Sequence, residues 1–326
     1  MESVNQSELC FPLLANLSCR KSSSSFSGGV FVTFVLPLVS ILTVLLNLIV
    51  IVSISHFRQL HTPTNLLLLS LAIADAIVGL LMIPAQIYST ASCWLLGDIV
   101  CALFTLIMVL VTAASVGNMV LISADRYVAI CDPLRYNVKI TVKRIQLCVC
   151  LCWLSSLIGC CIIFNDQLTH PGKLNSCYGE CVVNVDIDGG IIDVILSFIL
   201  PLSIIITLYS RVFVVALSQA RAVRIHAYTR GIIRMGAKKS ELKAARTLGV
   251  LVLVFLACFC PYYIDSVVNN SKKISQQKIF VLHLFSFNSC VNPLIYAFFY
   301  PWFRKAVRLI VTLRILRPDS REAIVL

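Results

Sequence analysis

The chain has 326 residues, of which 59% are hydrophobic and only 13% charged, about half the charge usual in a soluble domain. The apolar residues gather into blocks that fill most of its length, which leaves no room for a soluble catalytic or binding module. A net charge of +12 comes with no nucleic-acid-binding signature.

In chain order, the N-terminal MESVNQSELC has no basic start, so a cleaved signal segment is not expected. NQS at 5–7 and NLS at 16–18 make Asn5 and Asn16 glycosylation sequons; NNS at 269–271 is a weaker one, close to a helix end. Apolar blocks follow at 30–55, 65–89, 101–124, 146–165, 191–215, 247–268 and 279–300. Each can cross about 30 Å of hydrocarbon as a helix, and a backbone in lipid must satisfy its own polar groups, which favours helices over strands. Lys and Arg gather after the first, third, fifth and seventh blocks: Arg58, Arg126 to Arg144, Arg211 to Arg246, and Arg304 to Arg317. This places the N-terminus outside and the C-terminus in the cytoplasm of a plasma-membrane protein. The expectation is an all-α polytopic membrane protein, a seven-transmembrane-helix bundle over 30–300 with an extracellular tail over 1–29. PWFRKAVRLIVTLRIL (301–316) reads as a short amphipathic eighth helix lying on membrane lipid, followed by a cytoplasmic tail.

Polar residues inside spans are costly and mark function. They are Asn47, Asp75, Ser115, Asp193, Asn288, Ser289 and Asn292, with Asp125 and Arg126 at a span boundary. Pro84, Pro201, Pro261 and Pro293 kink their helices. With Asp125-Arg126-Tyr127, Trp153, Tyr209, Phe255 to Pro261 and NPLIY (292–296), these landmarks fall one set per span. Together they resemble the rhodopsin-class G-protein-coupled receptors. NSCVNPLIYAFFYPWF (288–303), HFRQLHTPTN (56–65), KAARTLG (243–249) and SCW (92–94) are similar to the trace amine-associated receptors.

That resemblance implies an ammonium-binding aspartate on the third helix, seven residues after Cys101 and eighteen before Arg126. The position is Met108, whose thioether cannot pair with an ammonium. An acid stands instead at Asp193, eight residues before Pro201, or about 12 Å of helix rise. Ser197 is one turn away on the same face. The likeness is then to the fish-type olfactory branch, with the carboxylate moved to the fifth helix. An isolated acid in a span costs about 2.5–3.5 kcal/mol on insertion scales, which an ammonium would offset. Two other readings leave Asp193 solvated in a vestibule or protonated and hydrogen-bonded. Met108, Val109 and Thr112 on the third helix, Phe259, Tyr262 and Tyr263 on the sixth, and Ser286 on the seventh are the expected lining; aromatic faces suit a cation. Asp186, Asp188 and Asp265 near the mouth could steer cations or remain solvated loop charges.

For signalling, the resemblance implies that Arg126 pairs with Asp125 and reaches Glu241 at rest. The sixth helix then swings about Pro261, with Tyr209 and Tyr296 refilling the space and Asn292 and Pro293 on the seventh helix taking part. It also implies a sodium ion held by Asp75, Ser115, Asn288 and Asn292, for which oxygen ligands are suited; a protonated Asp75 in a polar network is the alternative. No other cofactor is implied. Of 15 cysteines, those in spans read as small apolar residues. The resemblance pairs Cys101 with Cys181, and Cys177 of CYGEC with Cys19 in preference to Cys10. The implied partners are a small amine and a stimulatory heterotrimeric G protein. A receptor for a non-amine ligand is the alternative suggested by Met108. A transporter or channel would call for repeats or a polar file, and no nucleophile–base set, metal spacing or phosphate loop suggests an enzyme. Which amine binds, and whether it carries one charge or two, is not written in the sequence.

Overall fold

The computed structural model describes residues 9–14, 17–19, 31–172, 175, 177–181, 187–230, 249–250, 252–265, 276–317 and 320–325. Asn5, Asn16, Asp186 and Glu241 lie outside the described residues. The described part is helical, and five of its helices are long and apolar enough to cross a membrane. They are α1 (Phe31–His56), α2 (Pro63–Ala91), α3 (Asp98–Cys131), α4 (Val142–Ile163) and α5, whose spanning part is Gly190–Val215 of a helix running from Ile187 to Arg230. Then come α6 (Val252–Asp265), α7 (Gln276–Phe299) and α8 (Pro301–Val311).

The helices are inside-out in polarity. On α1, Leu38, Ile41, Leu45, Leu48 and Val52 are exposed, whereas Ser40, Thr43 and Asn47 are buried. Both sets recur at the three- and four-residue spacing of one helix face, so the small polar residues face protein and the large apolar ones face lipid. α3 is the hub, packed on α2, α4 and α5, while α7 packs on α1 and α2. Trp153 of α4 donates its indole N–H to Ser70 Oγ of α2 at 3.0 Å. Helix starts follow local chemistry: Thr62 Oγ1 accepts from the Asn65 N–H, with Pro63 in the first turn of α2, and Thr141 likewise caps α4.

Three spans open or break with a π turn that ends two residues before a proline: Phe31–Val35 before Pro37, Val78–Met82 before Pro84, and Ile195–Ile199 before Pro201. Proline has no N–H and crowds the carbonyl four residues back; the wider turn relieves that crowding. In α2 the Ile83 N–H bonds the Val78 carbonyl. By the same register the Gly79 carbonyl would meet Pro84, which has nothing to donate. Ser40 Oγ supplies the donor, at 2.7 Å. A Cβ on Gly79 would come within 3.0 Å of the Thr43 side chain, so glycine lets α1 and α2 approach closely. Pro293 likewise leaves the Ser289 carbonyl without its helical donor, and Asn47 Nδ2 takes it at 3.0 Å.

One end of the bundle is closed by three disulfides, Cys101–Cys181, Cys19–Cys177 and Cys10–Cys93. The third was not foreseen from sequence, where Cys10 was only a lesser candidate for Cys177. Tail and loop are laced together by Cys10 N–H to Cys19 O, Cys19 N–H to Tyr178 O, Tyr178 N–H to Leu17 O and Trp94 N–H to Gly179 O, all at 2.7–2.9 Å. Gly179 has φ 99°, and a Cβ there would sit 2.9 Å from Cys10 Cβ. Both facts require glycine in CYGEC.

At the other end the Lys139 ammonium, 2.9 Å away, holds the Asp132 carboxyl below the usual carboxylate range. α8 buries Trp302, Phe303 and Ala306. It stops at Val311, short of the expected 316, because Leu313 turns left-handed at φ 54°. The chain then folds back on α1. Val325 is fully buried and donates its N–H to Gln59 Oε1 at 3.2 Å, and Arg58 pairs with Glu322 at 3.3 Å.

Candidate functional site

Asp193 lies in the first segment of α5, half-buried, just before the π turn that contains Ser197. Ser197 Oγ donates to Asp193 Oδ1 at 2.8 Å. The turn carries Phe198 as well, and Phe198 stacks on Tyr263 of α6 with centroids 4.5 Å apart. The array continues across the bundle: Tyr262 meets Tyr263 at 5.2 Å and Phe285 of α7 at 4.9 Å, and Phe259 meets Phe255 at 4.2 Å and Phe285 at 4.4 Å. The chain thus brings together one carboxylate, one hydroxyl and a wall of aromatic faces, which can accept a cation by charge pairing and by ring quadrupoles. Phe198 and Phe285 were missed in the sequence because they are ordinary apolar residues there.

Of the other expected lining residues, Met108 is 8% exposed and packs in an apolar group with Met82, Ile83 and Val111. Val109 and Thr112 are half-buried. Ser286 is buried and donates to Gln86 Oε1 of α2 at 3.1 Å.

At the opposite end, Asp125 is 1% exposed and saturated by donors. Arg126 reaches its Oδ2 through Nη2 at 2.6 Å and Nε at 2.9 Å, Thr64 Oγ1 donates to the same oxygen at 2.9 Å, and Tyr136 donates to Oδ1 at 2.8 Å. Arg126 Nη2 also donates to Thr64 Oγ1. Burial pushes the Tyr136 phenol above its ordinary range, so it stays protonated and donating. The adjacent Tyr127 is half-buried. Thr64 and Tyr136 were not singled out in the sequence; they sit at a helix start and in a loop, where polar residues carry no signal.

Residues 46–296 match the 7 transmembrane receptor (rhodopsin family). The chain is 34% identical to trace amine-associated receptor 13c of Danio rerio, over 98% of this chain and 97% of that one. It is 36% identical to trace amine-associated receptor 8a of Rattus norvegicus (96% and 95%) and 35% identical to trace amine-associated receptor 1 of Mus musculus (95% and 97%). The chain belongs to the trace amine-associated receptors. It is therefore a multi-pass G-protein-coupled receptor rather than an enzyme, and its partners are a small ligand and a heterotrimeric G protein.

Within this trace amine-associated receptor the middle of the bundle is a polar island. Asp75 is fully buried; Asn292 Nδ2 donates to its Oδ2 at 2.8 Å and Ser115 Oγ to its Oδ1 at 3.3 Å. The side-chain oxygens of Asn47, Asn118, Asn288 and Asn292 are buried without a donor among the described residues. One carboxylate, a hydroxyl and orphaned amide oxygens are an all-oxygen donor set, which fits a hard cation. The Tyr296 hydroxyl is also buried without a partner among the described residues, and Tyr209 is half-buried on α5.

Proposed function

We propose that this receptor senses small amines, with the ligand ammonium paired to Asp193. The observation that carries the reading is Asp193 itself: an acid on the lining of an aromatic array, with Ser197 as its one hydrogen-bond donor among the described residues. Met108 removes the anchor that the third helix would otherwise offer. The carboxylate on the fifth helix also supports the fish-type olfactory branch and hence an odorant-sensing role. N-terminus outside and C-terminus in the cytoplasm of the plasma membrane follow from the Lys and Arg distribution. Disulfides at the tail end agree with an oxidising exterior, where Asn5 and Asn16 would carry glycans.

Activation on this reading starts from the closed Arg126–Asp125 pair. An agonist that binds the open form better shifts the equilibrium; α6 swings about Pro261, and Tyr209 and Tyr296 move toward Arg126 as a groove opens for a stimulatory G protein. Glu241 would hold α6 to Arg126 at rest. Asp75, Ser115, Asn288 and Asn292 would hold a sodium ion in the resting state, which neutralises the buried acid. Asn292 and its neighbour Pro293 link that island to the NPLIY segment.

The test is a cyclic-AMP reporter screened with mono- and diamines, any hit being repeated on Asp193→Ala and Asp193→Asn with surface expression measured. Removing a buried charge contact costs about 2–5 kcal/mol, so potency should fall about 30-fold or more. A receptor for a non-amine ligand, the reading that Met108 favours, predicts no amine hit, or equal potency in parent and variants.

A further inference from the structure

Most of the buried polar atoms left without a partner among the described residues belong to the Asp75 island or to the tyrosines of the switch. Among the rest are Gln86 Nε2, His283 Nδ1 and His283 Nε2. Gln86 is 2% exposed and His283 4%. Each neighbours Ser286, one by a hydrogen bond and the other by its place on the helix. Gln86 of α2 accepts the Ser286 hydroxyl at 3.1 Å, and His283 lies three residues before Ser286 on the same face of α7. The π turn before Pro84 sets the azimuth of Gln86, and Phe31 of α1 closes the cluster against the His283 ring at 6.0 Å. Ser286 in turn follows Phe285, the last ring of the wall that starts beside Asp193. Buried polar groups in a native protein are paired. Three atoms buried without a partner among the described residues, beside the segment of α7 that carries Phe285, therefore call for a further polar group.

We propose that Gln86, His283 and Ser286 form a second polar subsite that binds a hydroxyl at the far end of the amine. This rests on the Asp193 reading above. In its neutral form an imidazole such as that of His283 offers one donor and one acceptor, and the Gln86 amide offers a donor. A hydroxyl both gives and takes a hydrogen bond, so it serves the cluster whichever way the Gln86 amide is turned. An ammonium would find no carboxylate among these three residues. The favoured ligands are therefore hydroxylated monoamines, phenolic or aliphatic, rather than diamines.

The experiment uses the full-length receptor in lipid nanodiscs and reads ligand affinity by thermal stabilisation. The probes are pairs that differ by one terminal hydroxyl: tyramine with phenethylamine, and linear ω-amino alcohols with alkylamines of equal heavy-atom count. Diamines of the same length form a third arm. The parent receptor should prefer the hydroxylated member of its best pair by about tenfold or more. Gln86→Leu and His283→Phe should each bring the two affinities of that pair together, while Asp193→Asn should weaken both members alike. If amines bind through Asp193 but the parent shows no hydroxyl preference, or prefers diamines, the subsite is overturned and the amine reading stands. If a preference exists and neither variant reduces it, the subsite is likewise overturned. If no amine binds, both readings fall. Should one variant fail to fold, the other decides whether the parent's preference depends on this cluster.

Discussion

Asp125 and Asp193 are both acids in apolar helices, and their surroundings separate their roles. Asp125 has Arg126, Thr64 and Tyr136 around it, a saturated arrangement that stabilises one conformation. Asp193 has one hydroxyl donor among the described residues, Ser197, and aromatic neighbours, an arrangement with capacity left for a cation. Removing one donor from a buried acid costs about 1–3 kcal/mol. Thr64→Val and Tyr136→Phe should therefore loosen the resting pair and raise ligand-free signalling several-fold, measured with the reporter normalised to surface expression. Basal signalling unchanged in both would mean that these donors do not hold the resting state. Asp193, Arg126 and Asp75 were legible in the sequence because a charge in a greasy helix stands out. Thr64, Tyr136, Gln86 and His283 were not, since their meaning lies in which distant atoms they meet.

Among the elements, α2 and α5 share one device, a π turn ending two residues before a proline. It inserts an extra residue in the turn, and each residue is about 100° of rotation, so it decides which way the outlying segment faces. Asp193 stands on the far side of that turn from Pro201. Pro201→Ala restores an N–H and lets α5 close to regular helix, turning Asp193 away from Tyr263. Agonist potency should fall about tenfold or more with surface expression retained; parental potency would show that the proline does not set the direction of Asp193. The prolines and the apolar blocks were readable from the chain alone. The π turns were not: the one in α2 relies on a donor from another helix, Ser40 of α1, for the Gly79 carbonyl.

For the whole molecule, two disulfides tie the tail to the segment after α2 and to the loop between α4 and α5, and the third ties that loop to the head of α3. A native disulfide typically contributes about 2–4 kcal/mol. Non-reducing peptide mapping should return Cys10 linked to Cys93; a Cys10–Cys177 peptide would contradict this arrangement. Gly179→Ala should lower surface expression through the clash with Cys10 and the strain at positive φ, and parental expression would count against the close approach. Two of the three links could be drawn from the family resemblance. The third could not, since Cys93 gains a partner only when the tail folds back over the end of α2.

The central claim is that Asp193 is the counter-ion of an amine. The most direct measurement is a two-by-two cycle in the reporter assay: an active amine and its analogue with hydroxyl in place of the ammonium, each on the parent receptor and on Asp193→Asn. A direct contact predicts that the parent favours the amine by about 30-fold or more and that the variant loses this preference, a coupling of about 2 kcal/mol. The same preference in both receptors would place the ammonium elsewhere.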